Sequence, residues 1–234
     1  MRSDLKLGLL GRTYKDKIIY VDELNLGETN KIVGVEERLG GAFNILDANL
    51  WGVEAKCFCS GRKEALILSE TKNSRRTSIL SQSCNDGEAN GDVYGELMDW
   101  LHVVYIDDYY HVDMSRIQSP ASIDFCTDQP RGDYRDIIDQ CELVFDSRER
   151  KGLYSKIRSL TPIILHDEKG CECLWMGQSV FETSIKPVSG LNVNGAGDLF
   201  AAIFIRDFIG SSLSSAIEST SVLVTEILKN RSKP

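Results

Sequence analysis

The chain has 234 residues, enough for one large domain or a domain with a small appendage. Hydrophobic residues make up 42% and charged residues 26%, the balance of an ordinary folded protein. A formal net charge of −8 argues against nucleic acid or an anionic membrane as the main partner, because both reward a basic face.

Residues 5–11, "LKLGLLG", read as a first strand, and "KIIYVDE" (17–23) and "KIVGVEE" (31–37) follow as short strands between turn residues. "GGAFNILDANLWG" (40–52) predicts a helix that starts at a glycine pair and stops at Gly52. Residues 53–60 and 75–82 predict two more strands. From residue 100 the pattern alternates. Strands are expected at 102–108, 121–126, 142–146 and 162–166, with helices at 111–118, 131–141 and 148–159. Two helices close the chain, at about 196–209 and 212–228, the second with Leu213, Ile217, Val224 and Ile227 on one stripe. Short apolar strands alternating with helices predict a mostly parallel sheet covered by helices. The early strands break that alternation and predict a small second sheet, a lid over the carboxyl ends of the main one.

The seven cysteines form no disulfide framework and the three histidines have no ligand spacing, so buried reduced thiols in a reducing cytoplasm are expected rather than a zinc site. The first 17 residues are too charged for a signal peptide, and no stretch approaches the length of a membrane span. Trp51, Trp100 and Trp175 read most simply as packing residues.

The stretch with the most chemistry is "LNVNGAGDLFAAIFI" (191–205). Gly195, Ala196 and Gly197 leave an almost bare backbone at a helix start, where free amides and the positive end of the helix dipole attract an anion. Asp198 lies in the same turn. It is either a capping carboxylate on a core helix or a general base beside an anion hole, taking a proton from an attacking hydroxyl.

"NGAGDLFAAIFIRDFIG" resembles the C-terminal signature of the PfkB (ribokinase-like) carbohydrate kinases, which place Asp-Thr-x-Gly-Ala-Gly-Asp before a buried helix. Further pieces fall in that family's order. "GRTYKD" resembles the end of its first strand, with Asp16 matching a sugar-binding aspartate. "LGGAFNILDANLWG" resembles its Gly-Gly-Ala-x-Asn motif, in the form of the heptose-phosphate kinases. "RRTSIL" resembles a returning lid strand, and "DSRERKG" its Asn-x-x-Glu motif, with Asp146 and Glu149 in the two named places.

The resemblance implies a three-layer α/β/α ribokinase-like fold. The whole of 1–234 would form one domain, with lid strands from about 12–38 and 73–84. It also implies transfer of the ATP γ-phosphoryl group, aided by Mg²⁺, to a sugar or sugar-phosphate hydroxyl. Asp198 would be the base, and the amides of Gly195, Ala196 and Gly197 would stabilise the transferred group. Asp16, Gly40, Gly41 and Asn44 would hold the substrate. Asn192, Asn194 and Gly170 would lie on the nucleotide side, and Asp146 and Glu149 would act on the metal. Lids of this kind often pair edge to edge, which makes a homodimer compatible with the resemblance.

The sequence also departs from the family. Asn192-Val193 stands where the family has Asp-Thr. In the nucleotide loop Leu165 replaces a threonine and Asp167 a glycine, and only Gly170 survives. An aspartate there would repel a triphosphate. A second function class therefore stays open: a protein of this fold that binds a sugar or sugar phosphate without turning it over, in a regulatory or assembly role. Arg75 and Arg76 on the lid strand are candidate phosphate ligands, and Asp107 is a weaker candidate at a strand end.

Overall fold

A computed structural model describes residues 4–11, 13–58, 62–80, 91–105, 113–125 and 135–231. The segments holding Asp107 and residues 81–84 of the expected lid lie outside the described residues. The main sheet has eight strands. In chain order they are β1 (Leu5–Leu10), β4 (Val53–Phe58), β7 (Trp100–Val103), β8 (Ala121–Asp124), β9 (Leu143–Ser147), β10 (Ile163–Asp167), β11 (Gly170–Trp175) and β12 (Gln178–Ser184). Their spatial order is β12-β11-β10-β9-β8-β7-β1-β4. The six strands from β4 to β10 run parallel; β11 and β12 add an antiparallel edge.

Alternation along the strands separates two core layers. Leu143, Phe145 and Ile164 face one side, with α1 (Ala42–Asp47), α4 (Ala196–Gly210) and α5 (Leu213–Asn230). Val144, Ile163 and Leu165 face the other, with the short helices α2 (Arg135–Ile138) and α3 (Lys151–Tyr154). α4 is apolar around most of its girth, and Leu199 through Ile205 are all buried, as expected of a helix pressed between a sheet and a neighbour. This is the predicted three-layer arrangement.

The lid is a four-stranded sheet of β2 (Thr13–Val21), β3 (Ile32–Gly41), β5 (Arg62–Glu70) and β6 (Arg76–Leu80), in the order β3-β2-β5-β6. β5 lies in a stretch to which the sequence reading assigned no strand. It pairs parallel with β2 over nine residues and supplies the lid's second central strand. Ile18, Tyr20 and Ile67 form a small cluster on the lid's inner face.

Other differences have local causes. The helix expected over 40–52 is only Ala42–Asp47, because Gly40 and Gly41 still pair with Tyr14 and Thr13 in β3. The hairpin strands β11 and β12 have no counterpart in the sequence reading. Trp100 is buried, but Trp51 is 90% exposed and Trp175 also stands out of the core. Cys141, Cys171 and Cys173 are buried free thiols, whereas Cys57 is disulfide-bonded, a departure from the reduced state expected of it. Among the described residues no helix is long and apolar enough to cross a membrane.

Two histidines are held without charge, His102 in the core and His166 half-buried near the end of β10. His102 on β7 is fully buried, with Nδ1 2.9 Å from the Ser122 hydroxyl, and burial lowers its pKa to about 3. Burial likewise lowers His166 on β10 to about 4. Both values lie below the free-histidine 6.5, so the unfolded chain takes up these protons first. The stability they confer is complete above pH 6.5 and declines as pH falls toward 4. The buried Asp16 carboxyl, raised to about 6, titrates in the opposite sense, so the signature is a difference between proteins. Relative to His102→Asn, the wild type is expected to lose about 1.4 kcal/mol per pH unit below 6.5, measured by urea unfolding across that range.

Candidate active site

The site forms where the lid's inner face meets the first turn of α4. Gly195 caps that helix in the left-handed conformation, with φ 73°. A Cβ there would also lie 2.5 Å from Cγ of Asn44, so the position needs glycine for both backbone conformation and space. The turn is tightened by a bond from the Ala196 amide to the Val193 carbonyl, 3.0 Å long. That amide is therefore already engaged, a correction to the expectation that all three amides of the turn are offered to an anion. Gly197 lies under His166, whose ring stacks on Phe200 at 4.3 Å between centroids.

Asp198 is buried, 8% exposed, and turned toward the lid and α1. Its Oδ2 accepts from Nδ2 of Asn44 at 2.7 Å and its Oδ1 from the Tyr105 hydroxyl at 3.1 Å. Burial raises its pKa, opposed by the Asn44 and Tyr105 hydrogen bonds and by the charges of Arg76 and Arg38. Tyr105 was not singled out from sequence. It follows β7 at the carboxyl end of a central parallel strand, a usual place for a ligand-binding group, and it packs edge-on against Tyr14.

Asp16 reaches the same place from β2. Burial raises its pKa to about 6; the Asp198 charge adds to the rise, and Arg38 and Arg76 oppose it. A Cβ at Gly40 would overlap the Asp16 carboxylate, which explains why that strand position is bare. Gly41 begins α1 with φ 64° and so aims Asn44 back at Asp198. Asp16, Gly40, Gly41, Asn44 and Asp198 are thus assembled at one point, although residues 44 and 198 lie 154 positions apart in sequence.

The nucleotide-side and metal candidates fare differently. Asn192 donates to the Tyr20 hydroxyl at 3.2 Å and accepts from the Asn194 side chain at 3.0 Å. Asn194 is fully buried, and its Nδ2 reaches Ser69 on β5 at 3.4 Å. Both asparagines therefore brace the turn against the lid. A cavity of about 410 Å³ opens beside them, with Tyr20, Ser69, Glu70, Leu191 and Asn192 in its wall; Asp198 is not part of that wall.

Gly170 has a packing role of its own. It opens β11 in a tight hairpin, where a Cβ would overlap the Thr183 carbonyl of β12, so close strand packing accounts for it. Leu165 is buried in the core, and Asp167 accepts the Lys169 amide and faces Arg148 at 3.9 Å. Asp146 is a correction. It is fully buried, with the Tyr154 hydroxyl at 2.5 Å and Arg150 at 3.4 Å, and so has no free face for a metal. Glu149 is exposed at the start of a helical turn. Among the described residues no three His, Cys, Asp or Glu side chains could hold a metal, so the protein's own groups do not fit a resident Mg²⁺.

The two lid arginines separate. Arg75 pairs with the buried Glu70 at 2.8 Å and is spent on the lid itself. Arg76, opposite Ser69, shares the inner face and acts on Asp16, Tyr105 and Asp198.

No protein-family profile matches the sequence, and no curated protein sequence matches it. Solved structures do match. A Burkholderia thailandensis nucleoside kinase in complex with inosine is 12% identical, with a TM-score of 0.73, covering 97% of this chain and 92% of that one. A Methanocaldococcus jannaschii nucleoside kinase, an archaeal member of the ribokinase family, is 14% identical with a TM-score of 0.64, covering 98% and 100%. Ribokinase from Cryptococcus neoformans var. grubii in complex with ADP is 14% identical with a TM-score of 0.61, covering 97% and 95%. With its mostly parallel eight-stranded sheet, its helical layers and its small second sheet, the chain has the ribokinase-like fold.

Proposed function

We propose that this protein is a kinase of the ribokinase-like family that moves a phosphoryl group from ATP to a hydroxyl of a sugar or sugar phosphate. The observation that carries this reading is the meeting of Asp198, Asn44, Tyr105 and Asp16 beneath the lid. A bare helix turn, a buried acid of raised pKa and a second acid on the lid together suit the deprotonation of a hydroxyl beside a bound phosphoryl group.

In this mechanism Asp16 accepts hydrogen bonds from acceptor hydroxyls and orients them. The reactive hydroxyl takes the place of the Tyr105 hydroxyl at Oδ1 of Asp198 and gives its proton to that oxygen. The acceptor oxygen bonds to the γ-phosphorus as the bond to the ADP oxygen breaks. The helix turn at 195–197 faces the charge that develops on the transferred group. Mg²⁺ would accompany the triphosphate rather than occupy a cage of protein ligands, and no step here depends on a residue holding it.

The decisive experiment mixes the protein and Mg-ATP with sugars, sugar phosphates and nucleosides and measures ADP. Acceptor-dependent ADP release is the expected result, and none across the panel would overturn the kinase reading. One observation favours the alternative of a binder without turnover: both oxygens of Asp198 already carry hydrogen bonds from the protein. Saturable sugar binding without ADP would select it. Cytoplasmic location belongs to the proposal, as does a homodimer through the lid, whose outer face exposes Val33, Val35, Leu39 and Ile79.

A further inference from the structure

Two guanidinium groups converge on the site from opposite ends of the chain, and among the described residues neither is paired with a carboxylate. Arg38 lies on β3, directly across from Asp16 in the lid register. Its Nε and Nη2 are buried and have no hydrogen-bond partner in the protein. Leaving such donors buried and unpaired is costly, and more so for a charged group. Arg231 follows the last turn of α5. Its Nη1 donates to the Asn194 carbonyl at 2.7 Å, which pins it beside the Gly195 turn.

Burial lowers the pKa of Arg231, and the positive charge of Arg38 adds to that fall, so the two cations feel each other. Asp198 and Asp47 act on Arg231 in the opposite sense, yet among the described residues neither arginine makes an ion pair with a carboxylate. Arg76 adds a third positive charge at the exposed rim. Like charges held together beside buried, unpaired N–H groups form a receptor for an anion with several oxygens.

We infer that Arg38 and Arg231 bind a phosphate group carried by the acceptor, so that the substrate class is a phosphorylated sugar rather than a neutral one. The inference rests on the kinase reading for the word acceptor but not for the binding itself. Arg38 sits beside Asp16, on the acceptor side of Asp198, whereas Asp167 and Glu149 lie at the ends of β10 and β9. A neutral sugar's hydroxyls can accept from the Arg38 donors but leave the charges of the two arginines uncompensated; a phosphate monoester accepts from both and offsets them.

Binding can be read without turnover, by thermal shift and calorimetry. The probes are inorganic phosphate, three sugar phosphates (ribose 5-phosphate, glucose 6-phosphate and sedoheptulose 7-phosphate), the matching free sugars, and a non-hydrolysable ATP analogue with Mg²⁺. Inorganic phosphate is expected to stabilise the wild type. At least one sugar phosphate should bind at least tenfold more tightly than its free sugar. Arg38→Met and Arg231→Met should each erase both effects while leaving the ATP analogue's binding unchanged. Should Arg38→Met fold poorly, Arg38→Lys keeps the charge, loses the two-pronged geometry and is expected to lose most of the preference.

Equal binding of sugars and sugar phosphates would overturn the inference, as would a wild type indifferent to phosphate. Loss of the ATP analogue alone in the arginine variants would assign the phosphate to the donor and overturn it too. If the arginine-dependent preference holds but no ADP forms, the kinase reading fails and the phosphate site stands. ADP formed from neutral sugars with KM unmoved by the arginine changes leaves the kinase and removes the site.

Discussion

Asp198→Asn is expected to lower kcat for ADP formation by about 10³-fold while leaving acceptor affinity within a few-fold of wild type. The amide has nearly the carboxylate's shape, and its oxygen can still accept from Asn44, so the contact with α1 survives. What is lost is the group that takes the hydroxyl proton. The variant should remain inactive across the accessible pH range. The wild-type kcat/KM should rise as pH increases through about 6, where Asp16 ionises and becomes a full acceptor for substrate hydroxyls. Turnover by Asp198→Asn near the wild-type rate would remove Asp198 from the mechanism, whatever the fold. Such a result would leave it as a buried helix-start carboxylate, held by Asn44 and Tyr105 for structural reasons.

Phe204→Ala should have the largest effect on stability. Phe204 is fully buried, edge-on to Phe145 at 5.5 Å and beside Phe200 at 5.9 Å between ring centroids. Phe200 in turn stacks on His166. Removing the ring opens a cavity between α4 and the sheet that stiff neighbours cannot fill, at a cost of about 4 kcal/mol. In a domain of this size that corresponds to a fall in Tm of about 10 °C, read by calorimetry or circular dichroism. Because α4 carries the turn at 195–198, residual activity at low temperature should also drop. A stability change below about 1 kcal/mol would show that the layer repacks and is less rigid than its interdigitated rings suggest.

The main sheet and the last two helices were legible because their signals are local. The parallel strands are short apolar runs, and α4 and α5 fall within two residues of their expected bounds. β5 was not read as a strand because "RKEALILSE" mixes charged and apolar residues. Ala65, Ile67 and Ser69 face inward, while on the other face Glu64 is exposed, Leu66 and Leu68 are half-buried and Glu70 is buried. The hairpin of β11 and β12 was missed because its glycine was matched to a nucleotide loop, whereas close strand packing requires it.

At the site, residues in motifs were found and residues outside motifs were not. Asp16, Asn44 and Asp198 stand in recognisable runs. Tyr105 and Arg38 have no local signature and gain meaning only from β7 and β3 bringing them to Asp198 and Asp16. Asp146 misled for the opposite reason. It matched a metal motif, but Tyr154 and Arg150 enclose it.

The path of the chain between the two sheets has a consequence for engineering. β1 leads into β2, β3 returns through α1 to β4, β4 leads out again to β5, and β6 comes back toward β7. The smaller sheet is therefore stitched to its base by several separate threads instead of hanging from a single hinge. It cannot be excised, grafted or circularly permuted as a cassette. Where β3 runs directly into α1, losing one residue would shift the register of the smaller sheet against its base.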